Sequence, residues 1–339
     1  MKIAICGDIH WCQYSSIMRD RGKNFSLRLE YLINSVNWFN KLSTENSCFA
    51  NFYLGDFFDK AELNAEELSA LSQIKWGGCS QYFLCGNHEM LSVDHTYSSA
   101  KVFNLLDIGE VLEKPQVFTL ADTEIAILPY VLESNRKTIN EYLPIKTNKK
   151  RILLSHNDIA GIQMGKFVSE TGFTIDELET AADLVINGHL HNGEKISNKI
   201  INIGILCGMN FSEDALRYDH CAFIIDMDTL KIEVYENPYA FNFYKIDIAN
   251  KKFPTFKDNS IVSFKCKESF VEELKNYIEK TPTIIKHRIT IEPELLNKDT
   301  TEFNTEDLTV DHLARFRDYI HEKLGDSSIV NYEIGEICK

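Results

Sequence analysis

Short apolar runs bounded by turn residues recur along the N-terminal part of the chain: Ile3-Ala4-Ile5-Cys6, Phe52-Tyr53-Leu54, Tyr82-Phe83-Leu84-Cys85, Ile152-Leu153-Leu154 and Leu184-Val185-Ile186. Runs of this length read as buried strands. After the first of them, Phe25, Leu29, Leu32, Ile33, Val36 and Phe39 recur at helical spacing and predict a helix over 24–42. Leu63, Leu68, Leu71 and Ile74 repeat the pattern and predict a second helix over 61–74. Strands alternating with helices imply a layered α/β fold. Open α/β sheets place their sites at the carboxyl ends of strands.

Beyond residue 195 the pattern shortens into Ile200-Ile201-Asn202-Ile203, Cys221-Ala222-Phe223-Ile224-Ile225 and Lys231-Ile232-Glu233-Val234-Tyr235. The Asp226-Met227-Asp228-Thr229 segment between the last two reads as a hairpin turn. Pro238 and the aromatic stretch from Tyr239 to Tyr244 mark an exit from the first domain, over 1–240. A strand, helix and strand follow over 260–292, so 241–296 is expected to form a small α+β capping module. Residues 297–339 hold a polar, acidic linker and then Val310, Leu313, Phe316, Ile320 and Leu324, a narrow apolar stripe on a charged C-terminal helix. That stripe serves either to pack on its own domain or to dock a partner.

The 339 residues are 44% hydrophobic and 11% aromatic, which supports a folded chain with a sizeable core. No apolar stretch approaches the roughly 20 residues needed to cross a bilayer, and nothing at the N-terminus reads as a secretory signal. The nine cysteines are scattered and show no paired spacing. They read as apolar fillers in a reducing compartment, so a cytoplasmic location is expected. The net charge of -14 opposes unaided coating of nucleic acid, because phosphate affinity is mostly electrostatic. Carboxylates that hold divalent cations would invert that field locally.

Each of the five runs is followed by residues of metal-binding type. They are Asp8 and His10 in Gly7-Asp8-Ile9-His10, Asp56 in Gly55-Asp56-Phe57-Phe58-Asp59, Asn87 in Gly86-Asn87-His88-Glu89, His156 in Ser155-His156, and His189 and His191 in Gly188-His189-Leu190-His191. Taken singly, Asp8 reads equally as a helix cap, Asn87 as a turn residue and His156 as a satisfied histidine. Together, and with five of the ten histidines inside these segments, they describe one site reached from five strand ends. His95, His220, His287, His312 and His321 lack such context and read as structural or surface groups.

The order GD-x-H, GDxxD, GNH[DE], H, GHxH over residues 7–191 resembles the calcineurin-like metallophosphoesterase family. The resemblance implies a layered sandwich of two sheets flanked by helices and two divalent metal ions, manganese before magnesium, iron or zinc. By place in the family pattern Asp56 bridges the ions, Asp8, His10 and His191 complete one shell, and Asn87, His156 and His189 the other. His88 is left free to protonate the leaving oxygen or steady the transition state, and Asp59 to orient a neighbour or the metal shell.

Within the family, Gly55-Asp56-Phe57-Phe58-Asp59 and Leu153-Leu154-Ser155-His156 look like the SbcD-type recombination nucleases of bacteria and bacteriophages. Protein phosphatases carry Arg-Gly where this chain has Lys60-Ala61. The likeness implies a DNA exonuclease, with endonuclease action also possible in that type, working with an SbcC-type coiled-coil ATPase that Leu313, Phe316, Ile320 and Leu324 would bind; the type often dimerises. Trp11 stands where relatives carry Leu and reads either as a base-stacking platform or as packing. Arg19, Arg21 and Lys23 read either as DNA-phosphate contacts or as a solvated loop. Two other readings remain beside the nuclease: a phosphatase or phosphodiesterase acting on nucleotides or phosphoproteins, and a non-catalytic scaffold of the same fold.

Overall fold

The computed structural model describes residues 1–164, 167–248 and 253–292. The linker and the stripe of Leu313, Phe316, Ile320 and Leu324 lie outside the described residues. The chain begins β1 (Lys2–Cys6), α1 (Leu27–Glu45), β2 (Ala50–Tyr53), α2 (Ala65–Leu71), β3 (Ser80–Leu84), α3 (Val102–Leu105) and β4 (Glu110–Leu112). It continues β5 (Gln116–Leu120), β6 (Thr123–Leu128), α4 (Ile139–Tyr142), β7 (Lys150–Ser155), β8 (Gln163–Met164), β9 (Phe167–Val168) and α5 (Ile175–Ala181). Then come β10 (Leu184–Asn187), β11 (Glu194–Lys195), β12 (Ile200–Asn202), β13 (Cys221–Asp226) and β14 (Lys231–Glu236). The described part ends with β15 (Asn242–Asp247), β16 (Ser260–Lys267), α6 (Val271–Glu279) and β17 (Ile284–Glu292).

Two six-stranded sheets result, ordered β14-β13-β1-β2-β3-β4 and β11-β12-β10-β7-β6-β5. Strands β1 to β4 run parallel in the first, as do β6, β7, β10 and β12 in the second. Alternation along each strand sorts the core into three layers. Ile3 and Ile5 of β1 face inward with Phe52, Ile127, Leu154, Ile186 and Phe223, filling the space between the sheets. Ala4 and Cys6 face outward, onto Leu29, Leu32, Val36 and Phe39 of α1. Ala126, Leu153 and Val185 cover the far side of the second sheet with Leu178 of α5. The layered α/β fold that the apolar pattern implies is present, in the form of the two-sheet sandwich flanked by helices that the family resemblance implied.

Helix α1 starts where Ser26 accepts a hydrogen bond from the Leu29 amide. The second helix is shorter than its apolar spacing predicts. Asn64 and Glu67 form a capping box that opens α2 at Ala65. Past Leu71 the amides of Ser72, Gln73 and Ile74 turn back three residues, to Ser69, Ala70 and Leu71, and the α-helix stops. The expected hairpin at 226–229 joins β13 and β14, with Asp226 opposite Lys231.

The C-terminal strand, helix and strand are β16, α6 and β17, and they gain a third strand that the pattern did not suggest. The polar-aromatic stretch read as a domain exit runs into β15, which pairs in parallel with β16. Tyr244, Ile246, Val262, Phe264 and Leu274 give this small sheet its own apolar cluster.

Candidate metal centre

All seven candidate ligands follow strand ends on the same rim. Asp8 and His10 follow β1, Asp56 follows β2, Asn87 follows β3, His156 follows β7, and His189 and His191 follow β10. Three of them hold left-handed backbone, with φ of 49° at His10, 46° at Asp56 and 75° at His189. Such conformations cost about 1–3 kcal/mol each and persist where the surroundings enforce them. Here the amides of Ile9 and His10 both donate to the Asp56 carbonyl, at 3.1 and 2.9 Å, and tie the first two loops together. A Cβ on Gly86 would stand 2.2 Å from Asp56 Oδ1, so only glycine lets the third loop close on the second.

The side chains converge in two groups. Donor atoms of Asp8, His10 and His191 lie within 4.8 Å of one another, and so do those of Asp56, His156 and His189. Asp56 joins the groups, since it also lies within that distance of His10 and His88. The Nε2 atoms of His10 and His191 point at each other across 3.0 Å. His156 Nε2 faces Asp56 Oδ2 at 3.1 Å and Asn87 Oδ1 at 3.3 Å.

Every imidazole is anchored through its other nitrogen. Asp59 Oδ1 accepts from His10 Nδ1 at 2.9 Å and the Leu54 carbonyl from His156 Nδ1 at 2.5 Å. Asp158 Oδ1 accepts from His189 Nε2, and Glu213 Oε1 from His191 Nδ1, each at 3.1 Å. Outer partners of this kind fix the tautomer and raise ligand basicity.

The remaining valences test whether cations fit. Asp8 Oδ2 and His189 Nδ1 are buried without a hydrogen-bond partner, a costly state unless an ion meets them. Electrostatics point the same way. Burial alone would push Asp56 up, yet the imidazoles of His156, His10 and His88 hold it well below the usual carboxylate range. Burial would lower His156, and the Asp56 and Asp8 carboxylates instead raise it far above an ordinary imidazole. His191 is raised against the same burial by Glu213 and Asp8. A pocket that draws protons onto imidazoles is one that favours positive charge, and the oxygen and nitrogen donors suit borderline divalent ions.

His88 stands apart from this anchoring. Its amide donates to Asp56 Oδ1 at 2.8 Å, its Nδ1 bonds the Asp59 carbonyl at 2.9 Å, and its side chain is 41% exposed. Glu89, fully buried, accepts from the amides of Phe57, Phe58 and Gly86 and so clamps the second loop to the third.

Trp11 is not a substrate platform. It is fully buried, stacks on Phe57 at 5.9 Å and donates from Nε1 to the Glu67 carbonyl at 3.0 Å. The residue after the first motif turns inward because Trp11 bridges to Phe58 as the chain leaves the site. Arg19, Arg21 and Lys23 are exposed, but Arg21 is bound to Glu66 through both carboxylate oxygens. His95 and His220 are buried and bond the carbonyls of Tyr130 and Ile205.

Sequence reasoning missed Glu89, Asp158, Glu213, Arg28 and Tyr130. Asp158 follows His156 by two residues and was legible as a nearby acid. Glu213 lies 22 residues beyond His191 with no local signal. Arg28 sits on the buried face of α1 and donates to Cys12 Sγ and to the Gly208 and His10 carbonyls. Tyr130 packs its ring 5.6 Å from His189; burial and then the charges of Asp158, Asp56 and Glu133 push its phenol up.

Among proteins of known structure, TT1561 of Thermus thermophilus is 11% identical at a TM-score of 0.39, covering 69% of this chain and 98% of that one. A second solved structure is 10% identical at a TM-score of 0.40, covering 70% of this chain and 98% of its own. No curated protein matches the sequence. The calcineurin-like phosphoesterase profile matches residues 1–193, which is the stretch that supplies every strand end and every candidate ligand just described. With more than half of its length inside that profile, the chain belongs to the calcineurin-like phosphoesterase family of metal-dependent phosphoester hydrolases.

Proposed function

We propose that this protein is a dinuclear-metal-dependent DNA nuclease of the SbcD type, cleaving phosphodiester bonds together with an SbcC-type ATPase. The observation that carries the reading is the position of Asp56 between the two ligand groups. Asp8, His10 and His191 would hold one ion, Asn87, His156 and His189 the other, and Asp56 both. Manganese suits this imidazole, carboxylate and amide set. When bound, two such cations would supply charge neutralisation at the phosphoryl oxygens and lower the pKa of an attacking water.

The chain's own groups do the rest. Asp59, Leu54, Asp158 and Glu213 hold the four imidazoles in one orientation each. His88 is fixed through Nδ1 on the Asp59 carbonyl, which leaves Nε2 open to solvent and free to pass a proton to the leaving oxygen. Lys60-Ala61 after the second motif supports a diester over a phosphoprotein substrate. The C-terminal sheet supports an extended one. Lys286 pairs with Asp20 at 2.6 Å and Arg288 lies 4.4 Å over Phe211, so β17 is held against the segments flanking the first motif and Glu213.

Purified protein with manganese is expected to degrade linear DNA, and His88→Ala to abolish cleavage while retaining manganese. Cleavage by that variant would remove His88 from the chemistry. A second reading, a phosphodiesterase of nucleotides, draws on the pairing of Arg21 with Glu66 and Lys286 with Asp20, which leaves fewer free cations for a duplex. Turnover of small diesters with no DNA cleaved would favour it.

A further inference from the structure

Tyr130 follows β6 by two residues, and its backbone is fixed from both sides. Its amide donates to the Cys85 carbonyl at 3.0 Å, and its carbonyl accepts from His95 Nε2 at 3.0 Å. The half-buried ring lies 5.6 Å from that of His189 and 6.5 Å, edge-on, from that of His156. Among the described residues its hydroxyl makes no hydrogen bond. It is not among the buried unpaired polar atoms, so the hydroxyl reaches solvent at the edge of the site. Asp158, Asp56 and Glu133 are the charged groups around it. None of these bonds the phenol, so its proton is available to an incoming acceptor.

His88 occupies the matching place at the other ligand group, its ring edge-on to His10 at 4.6 Å. Each group of candidate ligands thus has one solvent-reaching proton donor beside it. Only His88 has a role in the reading above.

We infer that Tyr130 contacts the substrate, its hydroxyl donating a hydrogen bond to a non-bridging oxygen of the phosphoryl group beside His189. The inference rests on the phosphoester-hydrolase reading and adds a residue to it. A phenol keeps its proton at neutral pH and donates without changing charge. Its hydrogen bond strengthens as negative charge builds on the phosphoryl oxygens, so it acts more on the transition state than on bound substrate.

The test compares wild type, Tyr130→Phe and Tyr130→Ala by two readouts. The first is the affinity of the manganese-loaded protein for inorganic phosphate, which needs no turnover. The second is kcat and KM on bis(p-nitrophenyl) phosphate. Tyr130→Phe is expected to weaken phosphate binding about tenfold and to lower kcat by about tenfold or more, the size of one hydrogen bond to a charged acceptor. Manganese affinity is expected to stay within about twofold, because the phenylalanine ring keeps the packing. Phosphate affinity unchanged in Tyr130→Phe, or absent in the wild type, overturns the inference. A loss in Tyr130→Ala with none in Tyr130→Phe assigns the effect to the ring and overturns it as well. Absence of diester turnover in the wild type counts against the proposed function alone, since the phosphate titration reads this contact by itself.

Discussion

Glu213→Ala is expected to weaken one metal site and spare the other. The Glu213 carboxylate is buried and accepts from His191 Nδ1 at 3.1 Å and from the Met209 amide at 2.9 and 3.1 Å. It also accepts from the Asn210 amide at 3.3 Å. Removing it frees the His191 ring to rotate away from His10 and loosens the 208–213 turn. Loss of an outer partner costs about 10- to 100-fold in metal affinity, or roughly 1.4–2.7 kcal/mol. The stranded amides add about 1–3 kcal/mol of destabilisation, less where water reaches them. Asp158 anchors His189 in the other group, so Asp158→Ala should shift the other binding step. Manganese titration followed by calorimetry or electron paramagnetic resonance reads the two steps separately, with thermal melting as the control for folding. If Glu213→Ala left both steps at wild-type affinity, or moved both equally with the fold intact, the assignment of His191 and His189 to different ions would fall.

The metal-free protein is expected to lose thermal stability as pH rises from about 6.5 into the alkaline range. His156 and His191 are raised by neighbouring carboxylates; a raised folded-state pKa stabilises below the unfolded value and that contribution vanishes as the proton leaves. Glu89, lifted by burial and by Asp56, slopes the same way. Melting curves at successive pH values should show the decline, and added manganese should flatten it by replacing the protons; a flat metal-free profile would contradict the electrostatics. Trp11→Ala should cost about 3–5 kcal/mol in chemical denaturation, as expected for emptying a buried aromatic site. A variant that melted like wild type but bound DNA more weakly would restore the stacking role that burial denies to Trp11. His88→Ala, with cleavage lost and manganese retained, separates proton transfer from metal holding.

How far the site was legible follows from how it is built. The candidate ligands were readable because each rides on a strand end, and a strand leaves a local trace: a short apolar run, a turn glycine in all but the Ser155-His156 segment, then the polar group. Their anchors were readable only where they lie close in sequence, since an outer partner has only to reach one nitrogen and can come from any segment. Asp59 lies within the same motif as Asp56 and could be named; Glu213 arrives from the approach to β13 and could not. The hydrophobic pattern located α1, α2 and α6 and not α3, α4 or α5, and the Asn64 and Glu67 cap, not the apolar spacing, set where α2 begins.

By itself, then, the order of residues determined that strands and helices would alternate into a layered α/β fold, because short apolar runs and period-3.6 burial are properties of single segments, whereas the division into two sheets was implied only by the family resemblance. It also determined which side chains could meet a cation. Packing of one strand end against another decided the rest: that Trp11 turns into the core while His88 and Tyr130 stay open to solvent, and that Asp56 lies between the two groups. Those outcomes depend on distances between segments up to 181 residues apart, as between His10 and His191, and no local pattern encodes a distance of that kind.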